Sequence, residues 1–393
     1  MRNCDWEQRK LEELFKRVNE RNSGEFNKSH WISVAKMYFQ DPEKVQSNNI
    51  ATRTYVMRKG DIAFEGHPNS EYKFGRFVLN DIGAGVVSEL FPIYRHKADY
   101  DLNYWKVAIQ LERVMAPIFA ESITSSGNSS NKLDDRHFLR QKMLVPNIEE
   151  QYKIGTFFKQ LDGAIALHQR KLTLLEQLKQ TYLQQMFPQD ENNFPVLRIA
   201  GFSQPWVLRR LSDVSERVRG NDGRMDLPTL TISAGSGWLD QRERFSGNIA
   251  GNEQKNYTLL SNGELSYNHG NSKLAKYGVV FALRTFEEAL VPKVYHSFKT
   301  TDEASADFIE YMFATKTPDR ELAKLVSSGA RMDGLLNINY DEFMGISIMV
   351  PEIDEQNRIS HFLRKFDDTI VLHRCKIEKL TELKKVLLAK MFL

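Results

Sequence analysis

The most constraining feature of this chain is that its sequence contains the same unit twice. The segment Val-Pro-Asn-Ile-Glu-Glu-Gln at 145–151 returns as Val-Pro-Glu-Ile-Asp-Glu-Gln at 350–356. Each copy opens a long helix-like run, and each run ends on Met-Phe, at 186–187 and at 391–392. Upstream of these runs the match is looser and its offset drifts. A closely matched helix behind a divergent region predicts two variable globular units, each followed by one constrained helix.

The length and composition are compatible with two hydrophobic cores. The chain has 393 residues, of which 41% are apolar, and no run reaches the roughly 18 apolar residues of a membrane-spanning helix. The first residues are charged rather than signal-like. Cys4 and Cys375, the only cysteines, form no disulfide framework and no metal-binding pattern. We expect a cytoplasmic protein. A formal charge of +3 permits a nucleic-acid partner without requiring one.

Periodicity and turn residues divide the chain into five segments. The first globular unit spans 1–146 and is followed by a helix at 147–188. A proline-containing connector at 189–205 leads to the second globular unit at 206–350 and its helix at 351–393.

Both globular units combine helical and β-like patterns, which predicts the α+β class. In the first unit, helical patterns at 11–18 and 102–119 flank short β-like runs that are punctuated by glycines. The second unit repeats this order with a helical start after Trp206 and a helix near 308–313. Its β-like runs are at 229–233, 279–283 and 290–295.

The two long runs carry apolar residues spaced alternately four and three, which is the heptad pattern of a coiled-coil seam. The seam runs from Ile154 to Met186 in the first copy and from Ile359 to Met391 in the second. A helix of about 38 residues is roughly 57 Å long and needs a partner along its apolar stripe. We expect the two helices to form an antiparallel coiled coil that relates the globular units by pseudo-twofold symmetry.

His168 and His373 occupy the same seam position, near the middle of each helix. In an antiparallel pair they would lie side by side. We interpret them as a stacked or hydrogen-bonded pair that fixes the helix register, since this is the best-attested role of a polar seam residue. A metal site is disfavoured because two histidines without nearby cysteine or carboxylate ligands make a poor site.

Taken in order, these features resemble the specificity subunit of type I restriction-modification systems over essentially the whole chain. The resemblance rests on three repeated features. They are the two Val-Pro-x-x-Glu/Asp-Glu-Gln motifs with helices ending Met-Phe, the openings Trp6 to Leu11 and Trp206 to Leu211, and a Ser-Ser-Gly loop before each helix. Each motif alone is weak, but their order, twice over, is specific. The first copy lacks a counterpart of Phe194–Pro205.

The resemblance implies two target recognition domains, each reading one half of a split double-stranded DNA sequence. The central helices would dock two methyltransferase subunits, and restriction/translocase subunits would join the complex. S-adenosylmethionine, ATP and magnesium would belong to these partners and not to this chain, which would read DNA without cutting or methylating it. The rival interpretation is a DNA-independent coiled-coil scaffold, which explains the seam but not two divergent globular units.

No catalytic motif was found in the sequence: it has no Asn-Pro-Pro-aromatic motif, no phosphate-binding loop and no glycine-rich dinucleotide turn. We interpret Pro318-Asp319, followed by Glu321 and Lys324, as a helix start rather than a nuclease core. The acidic residues that open each long helix fit its first turn, where the helix dipole favours them. Docking of a partner subunit at these helix ends is the alternative.

Candidate DNA-reading residues come from two loops in each unit, one after a Gly-acidic-apolar strand and one at the Ser-Ser-Gly motif. Arg and Lys reach guanine, Asn and Gln reach adenine, and Gly or Ser loops let the backbone approach phosphate. Plain turns are the alternative. The candidates in the first unit are His67, Asn69, Asn128, Ser129 and Lys132. Those in the second unit are Asn268, His269, Asn271, Lys273 and Arg331.

Overall fold

The computed structural model describes residues 6–46, 50, 53–126, 130–189, 193–242, 251–270, 272–326 and 335–392. Two compact units divide the chain: Met1–Gln169 with Cys375–Leu393 form the first unit, and Arg170–Arg374 form the second. The two long helices, Ile148–Met186 and Ile353–Met391, have 39 residues each. Each helix therefore contributes one part to each unit.

The first unit is built on a four-stranded antiparallel sheet. Across the sheet its strands are Phe15–Val18, Ile93–His96, Ile62–Glu65 and Arg76–Leu79. The buried rings of Phe64 and Phe77 on this sheet pack against Phe119 of a following helix. The helices are Leu11–Leu14, Leu102–Ala108, Glu112–Ala120 and Asp135–Arg140, with 3-10 turns at Lys28–His30 and Pro42–Lys44. The other strands are Trp6–Lys10, Ile32–Ser33, Tyr38–Phe39, Thr54–Met57, Gly85–Ser88, Ile123–Ser126, Asn131–Leu133 and Lys142–Pro146.

The second unit has the same sheet topology. Across its four-stranded antiparallel sheet the strands are Ser215–Arg217, His296–Thr300, Leu265–Asn268 and Val279–Ala282. The helices are Ala306–Ala314, Asp319–Leu325 and Tyr340–Met344, with 3-10 turns at Leu211–Asp213 and Gly251–Asn256. The other strands are Val207–Arg210, Leu230–Ser233, Gly237–Asp240, Thr258–Ser261, Glu288–Val291 and Ser347–Val350. The repeat seen in the sequence is thus a repeat of the fold, and the α+β class is confirmed.

The predicted helical start of the second unit is wrong, and that of the first unit is right only for Leu11–Leu14. Val207–Arg210 is a strand that pairs with Ser347–Val350, the strand preceding the second long helix. Trp6–Lys10 pairs in the same way with Lys142–Pro146. Only one helical turn follows it before Phe15–Val18 joins the main sheet. Helical spacing of apolar residues was outweighed here by backbone hydrogen bonds to strands that are remote in sequence.

The Met-Phe motif ends each helix on an aromatic cluster. In the first unit the Phe392 ring lies 6.0 Å from that of Trp6 and 5.6 Å from that of Tyr104, measured between centroids. In the second unit Phe187 lies 5.9 Å from Trp206 and 5.2 Å from Phe308. The repeated tryptophan and phenylalanine therefore meet in the core of each unit. A helix that starts in one unit ends in the core of the other.

The repeated glutamine of the helix-opening motif makes the same two contacts in both units. The Gln151 side-chain amide donates to the Pro146 carbonyl at 3.0 Å and accepts from the Asp101 backbone N–H at 3.2 Å. Gln356 donates to Pro351 at 2.9 Å and accepts from the backbone N–H of Ser305 at 2.9 Å. Both glutamines are buried. They fasten the start of each long helix to the residue before a neighbouring helix.

The helices pair antiparallel in each unit, as predicted. In the first unit the Lys384 ammonium donates to the Asp162 carboxylate at 2.6 Å, which sets the early part of the first helix beside the late part of the second. In the second unit Lys179 donates to Asp367 at 2.5 Å. These four residues are counterparts in the repeat, so one ion pair occurs once in each unit.

Candidate nucleic-acid interface

The two loops singled out in the first unit meet. The Asn131 backbone N–H donates to the Gly66 carbonyl at 2.8 Å, and its side-chain amide donates to the Phe74 carbonyl at 3.1 Å. A Cβ atom on Gly66 would lie 2.2 Å from the Asn131 carbonyl oxygen, so only glycine permits this approach. The loop after Ile62–Glu65 and the strand Asn131–Leu133 are therefore in direct contact. Nothing in the amino-acid sequence indicates that Asn131 joins the two loops.

The equivalent segments also meet in the second unit. The Leu336 backbone N–H donates to the His269 carbonyl at 2.9 Å, and Gly270 forms an antiparallel bridge with Leu335. Gly278 also approaches this loop closely, since a Cβ on Gly278 would lie 2.5 Å from the Asn268 carbonyl oxygen. In both units, the loop after the Gly-acidic-apolar strand therefore contacts the chain that follows the Ser-Ser-Gly motif.

In the first unit the described candidates lie on the protein surface. His67 is exposed, and its Nδ1 lies 2.9 Å from the carboxylate of the buried Glu65. Asn69 is exposed, and its side-chain oxygen accepts from the backbone N–H groups of Glu71 at 2.8 Å and of Tyr72 at 2.9 Å. Lys132 is exposed. These groups can offer hydrogen-bond donors to a base edge or to a phosphate.

In the second unit the candidate Asn268 stabilises the loop to which it belongs. Asn268 donates to the Ile232 carbonyl at 3.1 Å and accepts from the Gly270 N–H at 3.1 Å, which engages both ends of its amide. Lys273 is exposed.

His269 is a core histidine in this structure. It is 6% exposed, and its two ring nitrogens lie 2.8 Å and 3.1 Å from the carbonyls of Leu336 and Val294. Its ring stacks on His296 at 5.0 Å, and burial lowers the pKa of His296 to about 4. The expectation that His269 faces DNA is therefore replaced by a structural role, because its polar atoms are already engaged inside the unit.

Four candidates, Asn128, Ser129, Asn271 and Arg331, lie outside the described residues. The paired-histidine hypothesis stays a prediction: His168 belongs to the first unit and His373 to the second, and both are half-buried. Asp319 begins a helix, as interpreted from the sequence. Within the described ranges, no group of three or more His, Cys, Asp or Glu side chains could hold a metal ion. No described helix is long and apolar enough to cross a membrane.

Two units of one sheet topology, each with a share of the paired helices, define a duplicated two-domain protein. The chain belongs to the family of the type I restriction modification DNA specificity domain, whose model matches residues 3–177 and 252–382. The two matches fall one in each copy of the repeat.

One solved structure shows the same architecture. A type I restriction-modification system S subunit from M. genitalium is 12% identical, with a TM-score of 0.58; the match covers 100% of this chain and 97% of that one. The HsdS subunit from Thermoanaerobacter tengcongensis is 15% identical with a TM-score of 0.48, over 99% of this chain and 97% of that one. At these identities the likeness concerns the fold alone.

Proposed function

We propose that this chain is the DNA sequence-specificity subunit of a type I restriction-modification complex and that each unit reads one half of a bipartite duplex target. One observation carries the proposal: two scaffolds of the same sheet topology present loop pairs at equivalent places but with different side chains. The first unit exposes His67, Asn69 and Lys132 where the second exposes Lys273. A protein that reads two different half-sites needs this combination of a repeated scaffold and divergent loops, because base contacts give specificity.

The helices supply the surface on which we propose that two methyltransferase subunits dock. Large apolar side chains stay exposed after the helices pair, although each helix already buries one stripe. They are Tyr152, Leu167 and Leu383 in the first unit and Leu174, Leu178 and Leu372 in the second. Exposed apolar side chains of this size mark interaction sites when they gather on one element. Four of the five leucines recur at matched repeat positions, 167 with 372 and 178 with 383, as two equivalent partners would require.

The chemistry is then assigned to the partners. S-adenosylmethionine would bind the methyltransferase subunits, and ATP and magnesium would serve the restriction/translocase subunits of a complex acting in the cytoplasm. The chain contributes binding energy and orientation, and it presents the target base to an enzyme that must take it out of the stack.

The test is a domain exchange read by methylome sequencing. Replacing 206–349 with the equivalent domain of a relative, in a host that also expresses the methyltransferase, should change one half of the methylated sequence and leave the other half and the gap intact. The matched control exchanges the first globular unit, which should change only the other half. If either exchange alters both halves together, the units form one composite site and the proposal is wrong.

The scaffold alternative is separated by a binding experiment. At fixed salt, a library of duplexes is presented to the chain with and without the methyltransferase partner. A specificity subunit enriches one bipartite sequence in the complex, whereas a DNA-independent scaffold enriches none.

A further inference from the structure

The second unit contains a cavity of about 590 Å³ whose charged lining is entirely basic. Its charged lining residues are Arg217, Arg219, Lys255 and Lys293, and all four side chains are exposed. The neutral polar residues that complete the wall include Asn221, Asn256 and Tyr257. We call this site the basic cleft. Four cations around one opening, with hydrogen-bonding groups between them, are suited to a polyanion.

The charges of the basic cleft are not neutralised within the described part of the chain, where no ion pair involves any of the four residues. Carboxylates close to the cleft residues in the sequence are bound to other groups. Glu253, two residues before Lys255, accepts from the Asn256 side-chain amide at 2.9 Å, and Asp222 pairs with Arg224 at 2.7 Å. Glu216 pairs with Lys299 at 3.1 Å, and Glu288 pairs with Arg224 at 2.6 Å. The positive potential of the cleft therefore remains available to a ligand.

Comparison with the first unit shows how Arg217 keeps its charge available. Its counterpart is Arg17, because both arginines sit in the first strand of the four-stranded sheet, opposite Tyr94 and Phe298 respectively. Arg17 donates to the Asp135 carboxylate at 3.1 Å. Tyr340 stands at the position of Asp135, at the first residue of the equivalent helix.

The Tyr340 ring lies 3.9 Å from the Arg217 guanidinium. An aromatic face orients a guanidinium without cancelling its charge. The substitution of tyrosine for aspartate thus turns an internal ion pair into an orienting contact.

The remaining cleft positions also differ between the units. In the first unit the two arginines of this region, Arg21 and Arg53, both pair with Glu89, at 2.6 Å and 3.1 Å. The strand pairing places Leu90 where the second unit has Lys293. Among the described residues of the first unit, no unpaired cation therefore occupies the equivalent place.

We propose that the basic cleft grips the phosphodiester backbone of duplex DNA, so that the second unit carries a phosphate anchor that the first unit lacks at this position. The inference rests on the proposed function and adds an asymmetry to it. Lys293 precedes Val294, whose carbonyl is bonded by the His269 ring, so the cleft adjoins the loop that carries Lys273. Phosphate contacts at the cleft would set the register in which that loop meets the bases.

The experiment measures how the affinity of the full-length chain for a labelled random-sequence duplex depends on salt. Each phosphate contact adds about 0.9 to the slope of log affinity against log salt. The variant combining R219Q, K255Q and K293Q should therefore lower the slope by roughly 2 to 3. These side chains are exposed, so the fold should survive. The control K171Q with K324Q and K365Q removes the same charge from exposed positions elsewhere in the second unit and should keep the wild-type slope.

A second pair of variants tests the role of Tyr340. Y340D reproduces the arrangement of the first unit and should lower the slope by about 1, since it would neutralise Arg217. Y340F keeps the ring and should leave the slope unchanged.

The anchor is refuted by a wild-type slope in the triple variant, by absence of duplex binding at low salt, or by preference for an RNA duplex of the same length. Its failure is distinguishable from failure of the proposed function. A complex that methylates a bipartite site with an unchanged slope rules out only the anchor. A lowered slope without any sequence-dependent methylation rules out only the function.

Discussion

The ion pair between Arg198 and Glu355 offers the sharpest test of the second unit's architecture. The Arg198 guanidinium donates to both oxygens of Glu355, at 2.8 Å and 2.7 Å, and also to the Gln204 carbonyl at 2.6 Å. The Glu355 side chain is 0% exposed and that of Arg198 is 15% exposed. The pair fastens the connector at 189–205 to the first turn of the second long helix.

Replacing Arg198 with methionine would leave a buried carboxylate without its cation. Breaking a buried pair in this way costs about 3–5 kcal/mol. A domain of this size loses about 2–4 °C in melting temperature per kcal/mol, so the second unit should melt roughly 6–20 °C lower. Replacing both partners with methionine should recover most of this loss, because no charge is then left buried.

The assay is thermal unfolding monitored by hydrogen exchange. Peptides from each unit are analysed separately, because two units need not unfold together. The control is R209M, which removes an exposed arginine 3.8 Å from Glu303 in the same unit and should cost only about 0–1 kcal/mol. Equal stability of R198M and the wild type, or no recovery in the double variant, would refute the reasoning.

Three further predictions follow from the sequence and the fold. Burial holds the pKa of His296 at about 4, below its usual 6.5, so between these pH values the unfolded chain binds a proton that the folded chain does not. The second unit should therefore lose stability as the pH falls from about 6.5 to about 4. Melting temperatures measured over this pH range should fall less steeply for H296F than for the wild type. Several residues inserted at 190–193 should change the gap of the methylated sequence, because each unit must meet the duplex at a fixed spacing; an unchanged gap contradicts this. The purified chain incubated with S-adenosylmethionine and duplex DNA should transfer no methyl group, and radiolabel on the DNA would overturn the assignment of the chemistry to partners.

The sequence was most informative where the structure depends on local pattern. The helix seam predicted both long helices, and their observed ends at Met186 and Met391 are the last seam residues. Most short β-like runs became strands because alternating apolar residues between glycines fit few other structures. The pattern at 102–119 predicts one helix, but the segment forms two helices, with Leu111 in an extended conformation between them. Periodicity alone does not report such a break, because both halves keep buried apolar residues.

The candidate site was only partly accessible from sequence. The two loops stand out in the sequence by their content of Gly, Asn and Ser. In each unit the fold joins them through hydrogen bonds that composition does not encode. In the sequence His269 resembles a surface loop residue beside Asn268. In the structure it is enclosed by the His296 ring and by two backbone carbonyls that are remote along the chain. A polar residue in a loop can be a ligand-binding group or a structural one, and only its neighbours decide which.

By itself the sequence determined the duplication, the helix seam and the family, because repeats and periods are properties of residue order. Only the tertiary structure decided which charges remain available to a partner. Arg17 and Arg217 are the same residue in equivalent strands, but one meets a carboxylate and the other an aromatic ring. Those partners lie more than a hundred residues further along the chain. Coulomb energy depends on distance in space, so the charge left in the second unit became visible only after folding brought these positions together.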